Sequence, residues 1–255
     1  MIRILSIGNS YSQDAQKWLH QICASVGEEV EAVNLYIGGC SLERHWNEYE
    51  HAPDGYRLEI NGEPIRQVTL QEGLAMGPWD IITLQQASIH SGKPQSYLPW
   101  LPRLAQVVRQ AWPEAKLYIH ETWAYEHGRD CDWFRSNYGA NQRNMYDRLH
   151  DAYEMASRLV DAPVIPVGTV IQHLREHCPE FDVNRGGISL NAPDRTHLSA
   201  TYGRYAAALT WCGYLLGRDV RQVTFKPFHE EETVDEKLLE VIREGVYGVL
   251  NPQTL

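Results

Sequence analysis

The chain has 255 residues, 43% of them hydrophobic, and a formal net charge of −10 at pH 7. This length and composition predict a single globular domain over residues 1–255. The acidic balance argues against a nucleic-acid partner, which needs clustered Lys and Arg. No apolar run is long enough to indicate a membrane span, so we expect a cytoplasmic protein. The five scattered cysteines are expected to be free thiols.

The first part of the chain alternates strand and helix patterns. Ile2 to Ile7 predicts a strand that breaks at Gly8, and Ser12 to Val26 has the apolar spacing of one amphipathic helix. Val30 to Ile37 predicts a second strand, which runs into a turn at Gly38-Gly39. A strand that ends at a glycine and presents a serine places that serine at the edge of an open α/β sheet, where ligands bind.

A different pattern follows, because Tyr56 to Ile60 and Ile65 to Thr69 flank Asn61-Gly62, a strong hairpin signal. We expect an appended β-hairpin there. The later predicted strands are Asp80 to Gln85, Lys116 to His120 and Val164 to Val167, and the longer predicted helices are Tyr97 to Ala111, Trp133 to Val160, Ser199 to Leu215 and Val234 to Tyr247. The alternation predicts an α/β fold whose five-stranded parallel sheet is covered on both faces. The acidic run Glu230 to Glu232 is expected to be solvated.

Three residues could together form an activated serine nucleophile with its base and its orienting acid. A serine hydroxyl attacks a carbonyl when a neutral imidazole removes its proton, and the imidazole needs an orienting carboxylate. Asp194 and His197 are three residues apart, so a helix-like turn would bring their side chains to one face. We therefore predict Ser10, His197 and Asp194 as a catalytic triad. The alternative is structural, with Ser10 and Asp194 serving only as helix caps.

Such a reaction needs donors for the negative oxygen of its tetrahedral intermediate. In a parallel sheet, the loops after the first three strands emerge side by side. They would supply the backbone amides of Ser10 and Gly39 and the side chain of Gln85 or Gln86. These four residues are the predicted oxyanion hole.

Several segments resemble the SGNH/GDSL hydrolases in order along the chain. Gly8-Asn9-Ser10-Tyr11-Ser12 is similar to the first block of that superfamily, with Asn9 where Asp is usual; Gly39 is similar to the second block and Asp194-x-x-His197 to the last. The chain further resembles a branch known only as a domain of unknown function. The segments that carry this likeness are Gly8 to Ser10, Leu35 to Glu43, Leu84 to Ser88, His120 to Tyr125, Pro166 to Thr169 and His197 to Ser199.

The resemblance implies a flavodoxin-like three-layer α/β/α sandwich with strand order 2-1-3-4-5. It also implies ester hydrolysis through Ser10, His197 and Asp194 without a metal or other cofactor. The third block departs from the usual Gly-x-Asn-Asp, since this chain has Gln85-Gln86-Ala87-Ser88. A glutamine amide can donate the same hydrogen bond from a longer stem, and the sequence leaves open whether Gln85, Gln86 or Ser88 points inward.

The expected partner is a small-molecule or carbohydrate ester, and the sequence indicates no oligomeric state. Ser88 and Trp123 are candidate substrate contacts, because both follow predicted strands at the catalytic edge and an indole can stack on a sugar. His173 and His177 have metal-ligand spacing, but no third ligand is evident and no metal site is predicted. Two alternatives to a serine esterase remain: a carbohydrate-binding relative without catalysis, and an acyltransferase that uses the same triad.

Overall fold

The computed structural model describes residues 1–51, 55–230 and 233–252. The strands are β1 (Ile2–Gly8), β2 (Val30–Tyr36), β3 (Tyr56–Ile60), β4 (Glu63–Val68), β5 (Ile81–Leu84), β6 (Lys116–His120) and β7 (Val164–Ile165). The helices are α1 (Ser10–Gln16), α2 (Leu19–Ser25), α3 (Leu42–His51), α4 (Leu70–Ala75), α5 (Ser88–Ser91), α6 (Trp100–Ala111), α7 (Asp132–Tyr138), α8 (Gln142–Val160), α9 (Val167–His177), α10 (Tyr202–Leu216) and α11 (Glu236–Leu250). Glu231 and Glu232 of the acidic run lie outside the described residues.

The sheet confirms the predicted α/β class and corrects the strand count. Its order is β4-β3-β2-β1-β5-β6-β7, so it has seven strands and not five. The five parallel strands follow the expected 2-1-3-4-5 order. The other two form the predicted hairpin, which pairs antiparallel with β2 through β3 and so extends the same sheet. An exposed sheet edge offers unpaired backbone groups, and the hairpin satisfies them on β2.

Two predicted helices are each divided in the structure. The pattern over Ser12 to Val26 forms α1 and α2, which are separated at Lys17 and Trp18. The pattern over Trp133 to Val160 forms α7 and α8, because Gly139 ends the first helix in the left-handed region at φ +65°. Apolar periodicity continues across both breaks, and for this reason periodicity alone does not reveal them.

Both faces of the sheet are covered by apolar side chains, as alternation along each strand requires. Leu5 and Ile7 face a layer that includes α3, α6 and α8, while Ile4 faces the layer of α1, α2, α9, α10 and α11. The parallel strands therefore have no free face. Within the described parts of the chain, none of the helices combines the length and apolar character needed to cross a lipid bilayer.

Buried polar side chains connect the hairpin to α1. Asn34 on β2 accepts a hydrogen bond from Ser12 at 2.8 Å and donates one to Glu59 on β3 at 2.9 Å. Gln13 on α1 also donates to Glu59, at 2.6 Å. Polar groups removed from water are stabilised only when they have such partners. These hydrogen bonds hold the hairpin against α1.

His45 provides a test of the packing on the α3 face. It is fully buried, its Nδ1 lies 2.9 Å from the Tyr56 hydroxyl, and burial lowers its pKa to about 3. The unfolded chain takes up this proton near pH 6.5, whereas the folded chain does not. Acidification from pH 7 to 5 should therefore lower the free energy of unfolding by about 2 kcal/mol through His45 alone.

In His45→Gln the fall in unfolding free energy between pH 7 and 5 should be smaller by that amount, as measured by denaturant titration at both pH values. His51→Gln, at an exposed position of the same helix, should leave the fall as it is in the wild type. An equal pH dependence in His45→Gln and the wild type would contradict the buried, uncharged state of this histidine.

Candidate active site

Ser10 lies at the carboxyl end of β1, as the first residue of α1. Gly8 permits this sharp connection, because an added Cβ at that position would come within 2.0 Å of the Ser12 hydroxyl. Asn9 caps the helix, and its side chain accepts a hydrogen bond from the Tyr11 amide. The capping role predicted as an alternative for Ser10 therefore belongs to Asn9, and the Ser10 hydroxyl has a different partner.

That partner is His197, which lies 187 positions away in the sequence. The Ser10 Oγ is 2.9 Å from His197 Nε2, and His197 Nδ1 is 2.5 Å from Asp194 Oδ2. The ring can therefore donate from Nδ1 to the carboxylate while its Nε2 accepts from the serine. The structure brings the three predicted triad residues into one hydrogen-bonded chain, and the Ser10 and His197 side chains are partly open to solvent.

Asp194 is held in its ionised form. Partial burial raises its pKa, but hydrogen bonds from the Thr196 and His197 amides and from the His197 ring outweigh this effect, so the pKa lies below its ordinary value. The carboxylate therefore carries its charge at neutral and mildly acidic pH. It can orient the imidazole and stabilise the imidazolium that proton transfer would create.

The loop that carries Asp194 and His197 is held by hydrogen bonds from the segment that follows β6. Three consecutive carbonyls of residues 194–196 accept hydrogen bonds from the segment 123–129. The donors are Arg129 Nη1 to Asp194 at 2.8 Å, the Glu126 amide to Arg195 at 2.9 Å, and Trp123 Nε1 to Thr196 at 2.8 Å. An irregular loop without secondary structure of its own is thus held to the sheet edge by backbone acceptors.

Asn9 connects three loops at this edge. Its Nδ2 donates to the Cys40 carbonyl after β2 at 3.0 Å, and its Oδ1 accepts from Gln85 Nε2 after β5 at 2.6 Å. Gln85 Oε1 in turn lies 2.7 Å from Nδ1 of His120, whose pKa is lowered to about 3 by burial. The neutral ring donates to Gln85, so the four groups form a continuous buried chain.

The two backbone amides predicted as oxyanion donors belong to the loops after β1 and β2. The Ser10 amide is in the first turn of α1, where helical N–H groups have no partner within the helix. Gly39 is exposed in the turn after β2 at φ +61°, a conformation that favours glycine. The bond from Asn9 to the Cys40 carbonyl holds these two loops against one another.

Comparison with known proteins places the chain in a family. Residues 3–249 match the family described as Domain of unknown function (DUF4886). The chain belongs to the DUF4886 family. A crystal structure of a DUF4886 family protein from Bacteroides uniformis is 35% identical, with a TM-score of 0.88 over 98% of this chain and 95% of that one. No functionally curated protein matches the chain.

More distant structures share the fold of this DUF4886 protein. A protein from Slackia heliotrinireducens described as a candidate SGNH hydrolase is 23% identical, with a TM-score of 0.57 over 84% of this chain and 98% of that one. The lipase/acylhydrolase from Enterococcus faecalis is 13% identical, with a TM-score of 0.55 over 90% and 100%. The predicted resemblance to a branch of unknown function is confirmed, and the predicted resemblance to the SGNH/GDSL hydrolases is confirmed for the fold.

The two glutamines of the third block have different environments in this DUF4886 chain. Gln86 accepts from the Leu42 and Ala87 amides and donates to the carbonyl and hydroxyl of Ser96. With all of these positions occupied, its side chain has no hydrogen left for an oxyanion, which argues against the predicted role. Gln85 uses one amide hydrogen for Asn9 and retains a second.

The two predicted substrate contacts also differ. Trp123 is completely buried, packs on Tyr11 at 4.2 Å between ring centroids and donates to the Thr196 carbonyl, so it supports the loop of residues 194–197 and does not face a substrate. Its position after β6 is as predicted, but the side chain turns inward. Ser88 is partly exposed and lies 3.0 Å from the Tyr125 hydroxyl. It stays a candidate contact.

His173 and His177 lie side by side on α9, with ring centroids 4.8 Å apart. In the described ranges of the chain, no group of three or more His, Cys, Asp or Glu residues is arranged to hold a metal ion. The sequence reasoning missed the roles of His120, Arg129 and the Asn9 amide nitrogen. Only the third carried a signal, which was the Asn in place of the usual Asp.

Asn9→Asp tests the junction of the three loops. The substitution preserves shape but replaces the donor to Cys40 with a carboxylate oxygen, so two acceptors would face each other in a buried site. We expect the free energy of unfolding at pH 7 to fall by about 1–3 kcal/mol, as measured by urea titration. Asn184→Asp, at an exposed position, should change it by less than about 0.5 kcal/mol. Equal losses in the two variants would argue against the junction.

Proposed function

We propose that this protein is a serine esterase that cleaves an acyl ester of a small molecule or carbohydrate through Ser10, His197 and Asp194. The supporting observation is the hydrogen-bonded chain from Ser10 Oγ through the His197 ring to the Asp194 carboxylate, with links of 2.9 and 2.5 Å. Nucleophile, base and orienting acid with this connectivity are the parts that acyl transfer requires. The lipase/acylhydrolase of the same fold agrees with this chemistry.

Acylation begins with proton transfer from the Ser10 hydroxyl to His197 Nε2, while Oγ forms a bond to the ester carbonyl carbon. Asp194, which remains ionised, stabilises the resulting imidazolium through Nδ1. The tetrahedral intermediate collapses when the bond to the alcohol oxygen breaks and His197 returns the proton to that oxygen. The products of this half are the free alcohol and an acyl ester on Ser10.

The negative oxygen of the intermediate would accept hydrogen bonds from the Ser10 and Gly39 amides. The remaining hydrogen on Gln85 Nε2 is the third donor in this proposal. α1 also begins at Ser10, and the partial positive charge at a helix start favours the developing anion. Donors that are already oriented require no rearrangement as charge develops, which is the source of their catalytic effect.

Deacylation uses the same groups in reverse. His197 Nε2 removes a proton from water, whose oxygen adds to the acyl carbon, and the Ser10 oxygen leaves with the proton from His197. The acid is released and the serine is regenerated. If an alcohol replaced water as acceptor, the same steps would make the protein an acyltransferase.

Ser10→Ala is expected to lower kcat for p-nitrophenyl acetate roughly 1,000-fold or more, because no other group can carry the acyl intermediate. Ser136→Ala, at an exposed position of α7, should retain wild-type kcat. Retained turnover in Ser10→Ala would exclude the proposed nucleophile. Turnover that requires an added alcohol would assign the protein to the transferases, and sugar binding without turnover of any ester would assign it to the non-catalytic relatives.

A fluorophosphonate probe should label the wild-type protein at Ser10, as located by mass spectrometry, since only an activated serine reacts with it readily. His197→Gln should react far more slowly. Labelling at another serine, or no labelling of the wild type, would contradict the proposal. This test does not require the natural substrate to be known.

Asp194→Asn is expected to lower kcat by about 10²-fold or more, because an amide no longer stabilises the imidazolium and favours a different ring tautomer. The measurement is kcat on the same ester at pH 7 and above. Glu180→Gln, at an exposed acidic position, is the control and should retain full activity. A loss in Asp194→Asn no larger than in this control would remove Asp194 from the triad.

A further inference from the structure

Asp14 is a buried acidic residue that the proposed triad does not use. It lies on α1 four residues after Ser10, so the two side chains share a face of the helix. The residue is 1% exposed. Removing a carboxylate from water is costly, and an apolar residue of similar volume would usually serve the fold as well. Its contacts indicate what it contributes.

The two carboxylate oxygens of Asp14 contact different elements. Oδ2 accepts a hydrogen bond from the Leu198 amide at 2.8 Å, and Oδ1 lies 2.9 Å from Arg204 Nε on α10. Leu198 follows His197 directly in the chain. α1 therefore contacts this segment twice. Asp14 accepts from the Leu198 amide, and Ser10 bonds to the side chain of His197.

Burial raises the pKa of Asp14 above its ordinary value, and its neighbours offset only part of this rise. Arg204 and the Leu198 amide favour the ionised carboxylate and act in the opposite direction. His197 also interacts electrostatically with this carboxylate. The arrangement places a second acidic group, besides Asp194, near the imidazole.

We propose that Asp14 is a positioning residue of the esterase: it holds the backbone at His197 against α1, so that the imidazole stays within hydrogen-bond distance of Ser10. This inference rests on the proposed function. Asp14 contacts neither the reacting atoms nor the imidazole directly, and it acts through Leu198. Small displacements of a general base reduce the rate of proton transfer with little effect on substrate binding.

The main test uses the full chain with Asp14→Leu and Arg204→Met combined. This double variant removes the acceptor for the Leu198 amide and fills the space of the charged pair with apolar side chains of similar volume. We expect kcat for p-nitrophenyl acetate to fall roughly 10- to 100-fold while KM changes less than about twofold. Asp14→Asn retains an acceptor for the Leu198 amide but places an amide nitrogen against Arg204. It should lose less, about three- to tenfold.

The matched control replaces another buried carboxylate in the same way. Glu121 is 1% exposed, accepts the Thr169 amide at 2.7 Å and lies 2.9 Å from His150 Nδ1. Glu121→Leu combined with His150→Met should retain kcat within about twofold. A loss equal to that of the Asp14 variants would show that any buried carboxylate matters equally, and it would overturn the proposal.

A second readout does not depend on ester turnover. The proton between His197 and Asp194 should give a downfield NMR signal, identified by its absence in His197→Gln. We expect this signal to broaden or vanish in the Asp14→Leu/Arg204→Met protein and to persist in the Glu121 control. An intact signal together with wild-type kcat would overturn the role of Asp14.

The two proposals can fail separately. If the wild type hydrolyses no ester, the esterase proposal fails, and the NMR signal alone decides whether Asp14 positions His197. If the apolar double variant does not fold by circular dichroism, Asp14→Ala, which also removes the acceptor for the Leu198 amide, carries the test, and a wild-type kcat in that variant would refute the inference.

Discussion

The side chain of Asn9 is the junction on which the edge of the sheet at the candidate site depends. It caps α1, donates to the Cys40 carbonyl and accepts from Gln85, and so joins the loops after β1, β2 and β5. A carboxylate could accept the same bonds but could not donate to Cys40. An asparagine therefore fits this position, because it accepts from Gln85 and donates to the Cys40 carbonyl at the same time.

Hydrogen bonds between buried groups also support the residues around Asn9. His120 has no charge at neutral pH because it is buried, and the single hydrogen of its neutral ring, on Nδ1, is donated to Gln85. Hydrogen bonds inside a protein are stronger than in water, and the bonds of such a network polarise one another. The loop with Asp194 and His197 depends likewise on donors from the segment 123–129. The partly exposed Ser10–His197 contact is thus positioned by hydrogen bonds that lie mostly among buried groups.

The hairpin illustrates how an added element can serve the site without touching it. β3 and β4 lengthen the sheet at β2, and Glu59 receives hydrogen bonds from Asn34 and from Gln13 on α1. The helix that begins at Ser10 therefore rests on polar contacts at the hairpin as well as on the apolar layer. A loss of the hairpin would release both the sheet edge and this support.

Much of the fold and of the candidate site could be predicted locally. The alternation of patterns indicated the α/β class, Asn61-Gly62 indicated the hairpin, and Gly8 to Ser10 and Asp194-x-x-His197 each indicated a part of the triad, because strand ends and short spacings are properties of neighbouring residues. The contact between Ser10 and His197, 187 positions apart, was expected from the family resemblance and is formed by tertiary packing. Other features depend on contacts between distant segments. Whether the hairpin joins the sheet, whether Trp123 faces solvent, and which glutamine faces Asn9 were decided only by tertiary packing, since a strand pattern does not specify its pairing partner and a residue type does not specify the direction of its side chain.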